Sequence, residues 1–138
     1  MNAVRIIVGA ALVIIAAIVG LYFVIGQLGF LPNWWLQIDY LMALAVVLGL
    51  VFASLRKRDI QAAGLDRIIT RPYLETNILF YGFLFVGMLF FWNWFDLLVK
   101  AGEQEGVHHR IIWIIVDASL PLLSGAMGMF LIRGGSDR

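Results

Sequence analysis

The sequence contains no cysteine, only three prolines and little charge. Without cysteine, the chain has no disulfide framework, no thiolate nucleophile and no sulfur ligand for zinc or an iron–sulfur cluster. Only 14% of its 138 residues are charged and 62% are hydrophobic, whereas soluble domains carry about 25% charged residues. No Ser/Pro-rich or charged block is long enough to be a linker. We therefore predict one membrane-embedded domain, residues 1–138.

The sequence also lacks the motifs of common catalytic and nucleotide-binding sites. It has no phosphate-binding glycine loop, GxSxG elbow or HExxH helix. Its two histidines, His108 and His109, are adjacent in a polar loop, outside the apolar stretches where haem ligands would lie. Neighbouring histidines without a spaced partner are weak evidence for a metal. The sequence favours a non-enzyme with no cofactor, no metal and no nucleic-acid partner.

Four apolar stretches have about the 20 residues that a helix needs to cross the hydrocarbon core. They cover residues 6–25, 34–55, 76–99 and 111–132. The first is long for a signal peptide and has no small-x-small cleavage site, so we expect it to be retained. The short connection before span two makes spans one and two neighbours, with Asn33 as helix cap. The predicted fold is an all-α antiparallel bundle of four transmembrane helices.

Lysine and arginine are distributed unevenly between the two ends of such a bundle. Lys100 and Arg110 fall at one end, and the other eight of the ten fall at the opposite end: Arg5, Arg56, Lys57, Arg58, Arg67, Arg71, Arg133 and Arg138. The positive-inside tendency then places both termini in the cytoplasm of a bacterial or archaeal cell, with the protein in its inner, cytoplasmic membrane. Arg56, Lys57 and Arg58 are expected to meet lipid headgroups. Residues 59–70 are either a solvated loop or a short surface helix.

All five tryptophans are predicted at the outward end. They are Trp34, Trp35, Trp92, Trp94 and Trp113. Indole rings favour the headgroup boundary, so an aromatic belt is one interpretation. Belts usually mark both interfaces, and this one-sided arrangement also fits a docking surface for a partner subunit, where tryptophan is enriched. Both interpretations remain open.

Several polar residues also fall at the outward end and form a candidate polar or ion site: Asp39, Asn93, Asp96, His109 and Asp117. Intramembrane carboxylates are costly and are often functional. Asp39 lies near a helix N-terminus, which favours negative charge. Asp96 precedes Lys100 by four residues and is expected to pair with it. Asp117 could be related to His109 through a water molecule.

Small residues predict where helices approach each other closely. Ala45, Gly49 and Ala53 recur every four residues in span two, a spacing that lets backbones meet in lipid. Ser124 and Gly128 continue the Asp117 face of span four at i+7 and i+11, so that face should point inward. Pro121 removes a backbone donor and frees the carbonyl of Asp117.

Three hypotheses for function follow. The first is a non-catalytic accessory subunit of a larger membrane complex, with membrane lipids and other membrane subunits as partners in a hetero-oligomer. The second is a small oligomeric transporter or channel, coupled to an ion or proton, that uses Asp117, Asp96 and Asp39. The third is a membrane enzyme with an outward-facing cluster of histidine and aspartate. The thin loops and the absence of catalytic motifs favour the first.

Overall fold

The computed structural model describes residues 2–100 and 106–134, and this part of the chain folds into four helices. They are α1 (Asn2–Gly26), α2 (Trp35–Ala62), α3 (Arg71–Val99) and α4 (Val107–Ile132). The shortest, α1, has 25 residues and is about 38 Å long at the helical rise, against a hydrocarbon core of about 30 Å. All four are long and apolar enough to cross a membrane, which indicates an integral membrane protein. The predicted position of Arg138 lies outside the described residues.

The helices extend beyond the predicted spans, most clearly in α2. This helix continues through Arg56–Arg58 to Ala62. The chain turns away from the helix at Gly64, whose φ of +69° lies in the left-handed region, and there the N–H of Leu65 donates to the carbonyl of Ile60 at 3.1 Å. Residues 65–70 contain no helix. The alternative of a separate surface helix over 59–70 is therefore wrong: its first turn belongs to α2, and its remainder is a loop.

The starts of α2 and α3 are held in different ways. Thr70 caps α3 by accepting from the N–H of Tyr73 at 3.4 Å, with proline in the first turn. The prediction that Asn33 caps α2 is wrong, because Trp34 holds that position without a side-chain cap. Instead, the N–H of Trp34 donates to the hydroxyl of Tyr22 at 3.0 Å, and that hydroxyl donates to the carbonyl of Pro32. Tyr22 thus ties α1 to the connection.

α1 packs mainly along α4, although it also contacts α2. The closest approach is between Gly9 and Gly128: a Cβ on Gly128 would lie 2.6 Å from the carbonyl oxygen of Gly9, and a Cβ on Gly9 would lie 2.8 Å from that of Gly128. The two backbones therefore touch, and only glycine fits. Further along, Gly20 of α1 faces Pro121 of α4.

α2 packs mainly along α3, through its small-residue face. Ala45, Gly49 and Ala53 are all buried. The ring of Phe83 occupies the space beside Gly49, and the side chain of Val46 lies against Gly87 of α3. Large apolar side chains from all four helices fill the centre of the bundle: Leu12, Val19, Met42, Phe83, Phe90, Leu120 and Met127.

Contact between the glycine backbones predicts that Gly128→Ala destabilises the protein. The added methyl group overlaps the carbonyl of Gly9, which is backbone and cannot rotate away, so we expect a loss of about 1–3 kcal/mol. The matched control is Gly125→Ala on the same helix, because a Cβ there meets Ala16 at an ordinary 3.8 Å. Thermal unfolding in detergent measures both variants. Equal midpoints would contradict the prediction.

Candidate functional site

A cavity of about 490 Å³ lies at one end of the bundle. This end, called the tryptophan end below, is formed by the α1–α2 connection, the last turns of α3 and the first turns of α4. The cavity volume is in the usual range for small-molecule sites. Polar and aromatic side chains supply much of its wall: Gln27, Asn33, Trp35, Asp39, Arg110, Trp113 and Asp117.

Two carboxylates in this wall are buried. Asp39 is 4% exposed and Asp117 is 6% exposed, and both line this one cavity. Oδ1 of Asp117 has no hydrogen-bond partner among the described residues. A buried polar atom without a partner is costly, and more so for a carboxylate within a membrane helix. Arg110 also lines this cavity, and its side chain is exposed and positively charged.

Asp96, Asn93 and His109 form a second, separate polar group. Nδ1 of His109 lies 2.5 Å from Oδ1 of Asn93, and Nε2 lies 3.0 Å from Oδ2 of Asp96. Asn93 also donates from Nδ2 to the carbonyl of His109 at 3.2 Å. The predicted pair of Asp96 with Lys100 is confirmed, with a distance of 2.9 Å between Oδ1 and Nζ. This group links the end of α3 to the start of α4.

The structure thus divides the five predicted site residues between two places. Asp39 and Asp117 share the cavity, whereas Asn93, Asp96 and His109 share the α3–α4 link. A contact between His109 and Asp117 through water was suggested by the sequence. Instead, both ring nitrogens of His109 face partners on α3. His108 is exposed. Among the described residues, no group of three or more histidine, aspartate or glutamate side chains is arranged to hold a metal ion.

The five tryptophans also divide into two sets. Trp34 and Trp92 are 59% and 70% exposed. The others pack within the bundle: Trp35 meets the ring of Tyr22 edge-on at 4.8 Å between centroids, and Trp94 and Trp113 both pack on Phe90. Three tryptophans of the predicted docking surface therefore contribute to the fold, and two remain on the outside.

The three basic residues predicted to contact lipid headgroups have three different environments. Arg56 is buried, with its guanidinium 3.7 Å from the ring centroid of Phe130. Lys57 donates to the hydroxyl of Tyr81 at 2.9 Å. Arg58 is exposed and so is placed as expected for a headgroup contact. The inward position of Arg56 could not be predicted, because a basic run at a helix end has the same sequence pattern whether its side chains face lipid headgroups or the bundle.

Within residues 2–100 and 106–134, two buried hydroxyls lack hydrogen-bond partners. They belong to Ser124 of α4, on the same face as Asp117, and to Thr76 of α3. Ser54 and Asn77, by contrast, bond within their own helices: Ser54 donates to the carbonyl of Leu50, and Asn77 to that of Tyr73. Thr76 was not among the predicted site residues. Arg110 was counted only to assign the orientation of the bundle in the membrane, although it directly follows the two histidines.

Comparison of the chain with protein-family models, curated proteins and solved structures finds no match. The candidate site is therefore interpreted from its own geometry.

The link between α3 and α4 predicts that Asn93→Ala lowers stability. The substitution removes two hydrogen bonds and leaves a ring nitrogen of His109 without its partner, so we expect a loss of about 1–2 kcal/mol. Asn77→Ala is the matched control, since the Asn77 amide bonds only to its own helix. The measurement is the thermal midpoint in detergent. The link would be unimportant if both variants unfolded at the same temperature.

Proposed function

We propose that the protein is a small ion- or proton-coupled membrane transporter that binds its cation in the cavity between Asp39 and Asp117. The observation that carries this proposal is Asp117, a carboxylate in the cavity wall that is 6% exposed and whose Oδ1 has no hydrogen-bond partner in the described part of the chain. A second buried carboxylate, Asp39, lies in the same wall, so a cation entering the cavity would meet two acidic side chains.

The proposed arrangement in the membrane is an antiparallel bundle with both termini in the cytoplasm. Its support is the distribution of lysine and arginine: seven of the nine that the structure describes lie at the end opposite the cavity. In this orientation the cavity opens toward the outside of the cell. A cation would reach Asp39 and Asp117 from that side, passing the exposed Arg110 at the cavity.

Transport also requires polar groups beyond the cavity. The unpartnered hydroxyls of Ser124 and Thr76 support such a continuation, because Ser124 follows Asp117 by two helical turns on the inner face of α4. Hydroxyls both donate and accept, so they suit a proton or a hydrated ion. The fully buried side chains of Met42, Leu120 and Met127 fill the bundle, and transport would require them to move.

The proposal predicts that Asp117→Asn abolishes cation movement. With the protein reconstituted in vesicles, an internal dye reports proton uptake down an imposed pH gradient, and a sodium-sensitive dye reports sodium uptake. We expect the wild type to pass one of these cations and Asp117→Asn to behave like protein-free vesicles, because the amide carries no charge.

Two further variants make this test specific. Asp117→Glu keeps the carboxylate and should retain part of the uptake. Asp59→Asn, an exposed position outside the cavity on α2, should retain the wild-type rate. The proposal fails if the wild type passes neither cation, or if Asp117→Asn retains full uptake while remaining folded by circular dichroism.

A second candidate function is an accessory subunit that docks on a larger membrane complex. The observation in its favour is the exposure of Trp34 and Trp92 at the tryptophan end, because tryptophan is enriched in the anchors of interfaces. Under this candidate, the cavity residues would serve packing, and the two exposed indoles would serve binding.

Docking predicts that the double variant Trp34→Ala/Trp92→Ala loses a co-purifying membrane protein. The control is Phe85→Ala, an exposed aromatic residue near the middle of α3 and away from that end. Mild-detergent purification from native membranes, followed by mass spectrometry, identifies what is retained. Recovery of the wild type alone, as a stable protein, would remove this candidate.

A further inference from the structure

A second cavity, of about 760 Å³, lies at the opposite end of the bundle, called the arginine end below, between α2, α3 and the last turns of α4. Three arginines and one glutamate line it: Arg56, Arg71, Arg133 and Glu75. The charged side chains of the lining therefore sum to two positive charges. This cavity is separate from the candidate site described above and contributes nothing to it.

Glu75 joins two of the arginines. Its Oε2 lies 3.3 Å from Nη2 of Arg56, and its Oε1 lies 2.7 Å from Nε of Arg71. Arg56 is further held by Phe130, whose ring faces its guanidinium. One carboxylate is thus shared by two guanidinium groups, each of which carries five N–H donors. The shared carboxylate fixes Arg56 and Arg71 on one side of the cavity, and Arg133 adds a third cation at the end of α4.

The rest of the lining is apolar. Ile78 and Leu79 of α3 and Met129 of α4 continue the wall from the charged residues toward the middle of the helices. The cavity therefore combines a cationic end with an apolar side, and the cationic end lies where α2 and α4 end and α3 begins. An occupant that complements both parts has an anionic head and a hydrocarbon tail.

We propose that this cavity binds an anionic phospholipid, with the phosphate held by Arg71 and Arg133 beside the fixed Arg56, and an acyl chain along Ile78 and Met129. Guanidinium groups match phosphate geometry through paired hydrogen bonds. Basic pockets between transmembrane helices are known to hold lipid headgroups. The lipid adds negative charge to a site with excess positive charge, and its tail covers apolar surface between α3 and α4.

The test compares how an anionic lipid and a zwitterionic lipid stabilise the purified protein in detergent. Phosphatidylglycerol should raise the thermal midpoint in a saturable manner, and phosphatidylcholine with the same acyl chains should raise it much less. Arg71→Gln and Arg133→Gln should each weaken the apparent affinity for phosphatidylglycerol about tenfold, as expected for loss of one charge-assisted hydrogen bond. Both residues are exposed, so these variants should fold.

Arg67→Gln is the charge-matched control, because Arg67 is exposed and does not line the cavity. It should leave the affinity unchanged. An equal loss in this control would overturn the proposal, since it would mean that general surface charge attracts the lipid. Equal stabilisation by phosphatidylcholine would overturn it as well. Equal stabilisation by sodium phosphate in the absence of lipid would show that the tail contributes nothing, and would overturn the assignment of a lipid.

Discussion

Hydrocarbon offers no hydrogen-bond partners, and most features of this structure follow from that constraint. The outward faces of the helices carry large apolar side chains, so polar groups within the spans must lie inside the bundle. Asn93 and His109 are hydrogen-bonded to each other, and Arg56 pairs with Glu75 and packs on the ring of Phe130. Asp117, Ser124 and Thr76 are different, because each keeps a buried oxygen that has no hydrogen-bond partner among the residues described. Buried polar atoms that lack hydrogen bonds are the strongest candidates for a functional role in this protein.

The two ends of the bundle are chemically opposite. Two buried carboxylates lie in a cavity at the tryptophan end, and three arginines surround a cavity at the arginine end. A protein with a formal net charge of only +1 therefore separates its charges along the membrane normal expected for such a bundle. A field of this kind favours a cation at one end and an anion at the other. The two proposals thus rest on a single charge distribution.

Much of the fold could be predicted from the sequence because the length of an apolar run is set by membrane thickness. Burial of Ala45, Gly49 and Ala53 agrees with their spacing, and the Asp96 pair agrees with its offset from Lys100. Other features depend on which helix lies beside which, and a single sequence carries little information about that. The pairing of α1 with α4 and the contacts of His109 with α3 are of this kind. The run Phe90–Asp96 also shows the limit: Phe90 and Asn93 are buried while Trp92 is exposed, although composition alone treats all of its aromatic residues alike.

Close packing of α1 against α4 also bears on how the protein is made. The ribosome completes α1 before α2 and α3, and it completes α4 after them. During synthesis, α1 is therefore present before its main partner α4, so Gly9 and Gly20 lack their α4 neighbours while α2 and α3 can already associate. Contacts between segments distant in sequence form late. The α1–α4 contact would then be the last step of assembly, and a chain interrupted before α4 would leave an unpaired glycine-lined helix for membrane quality control to recognise.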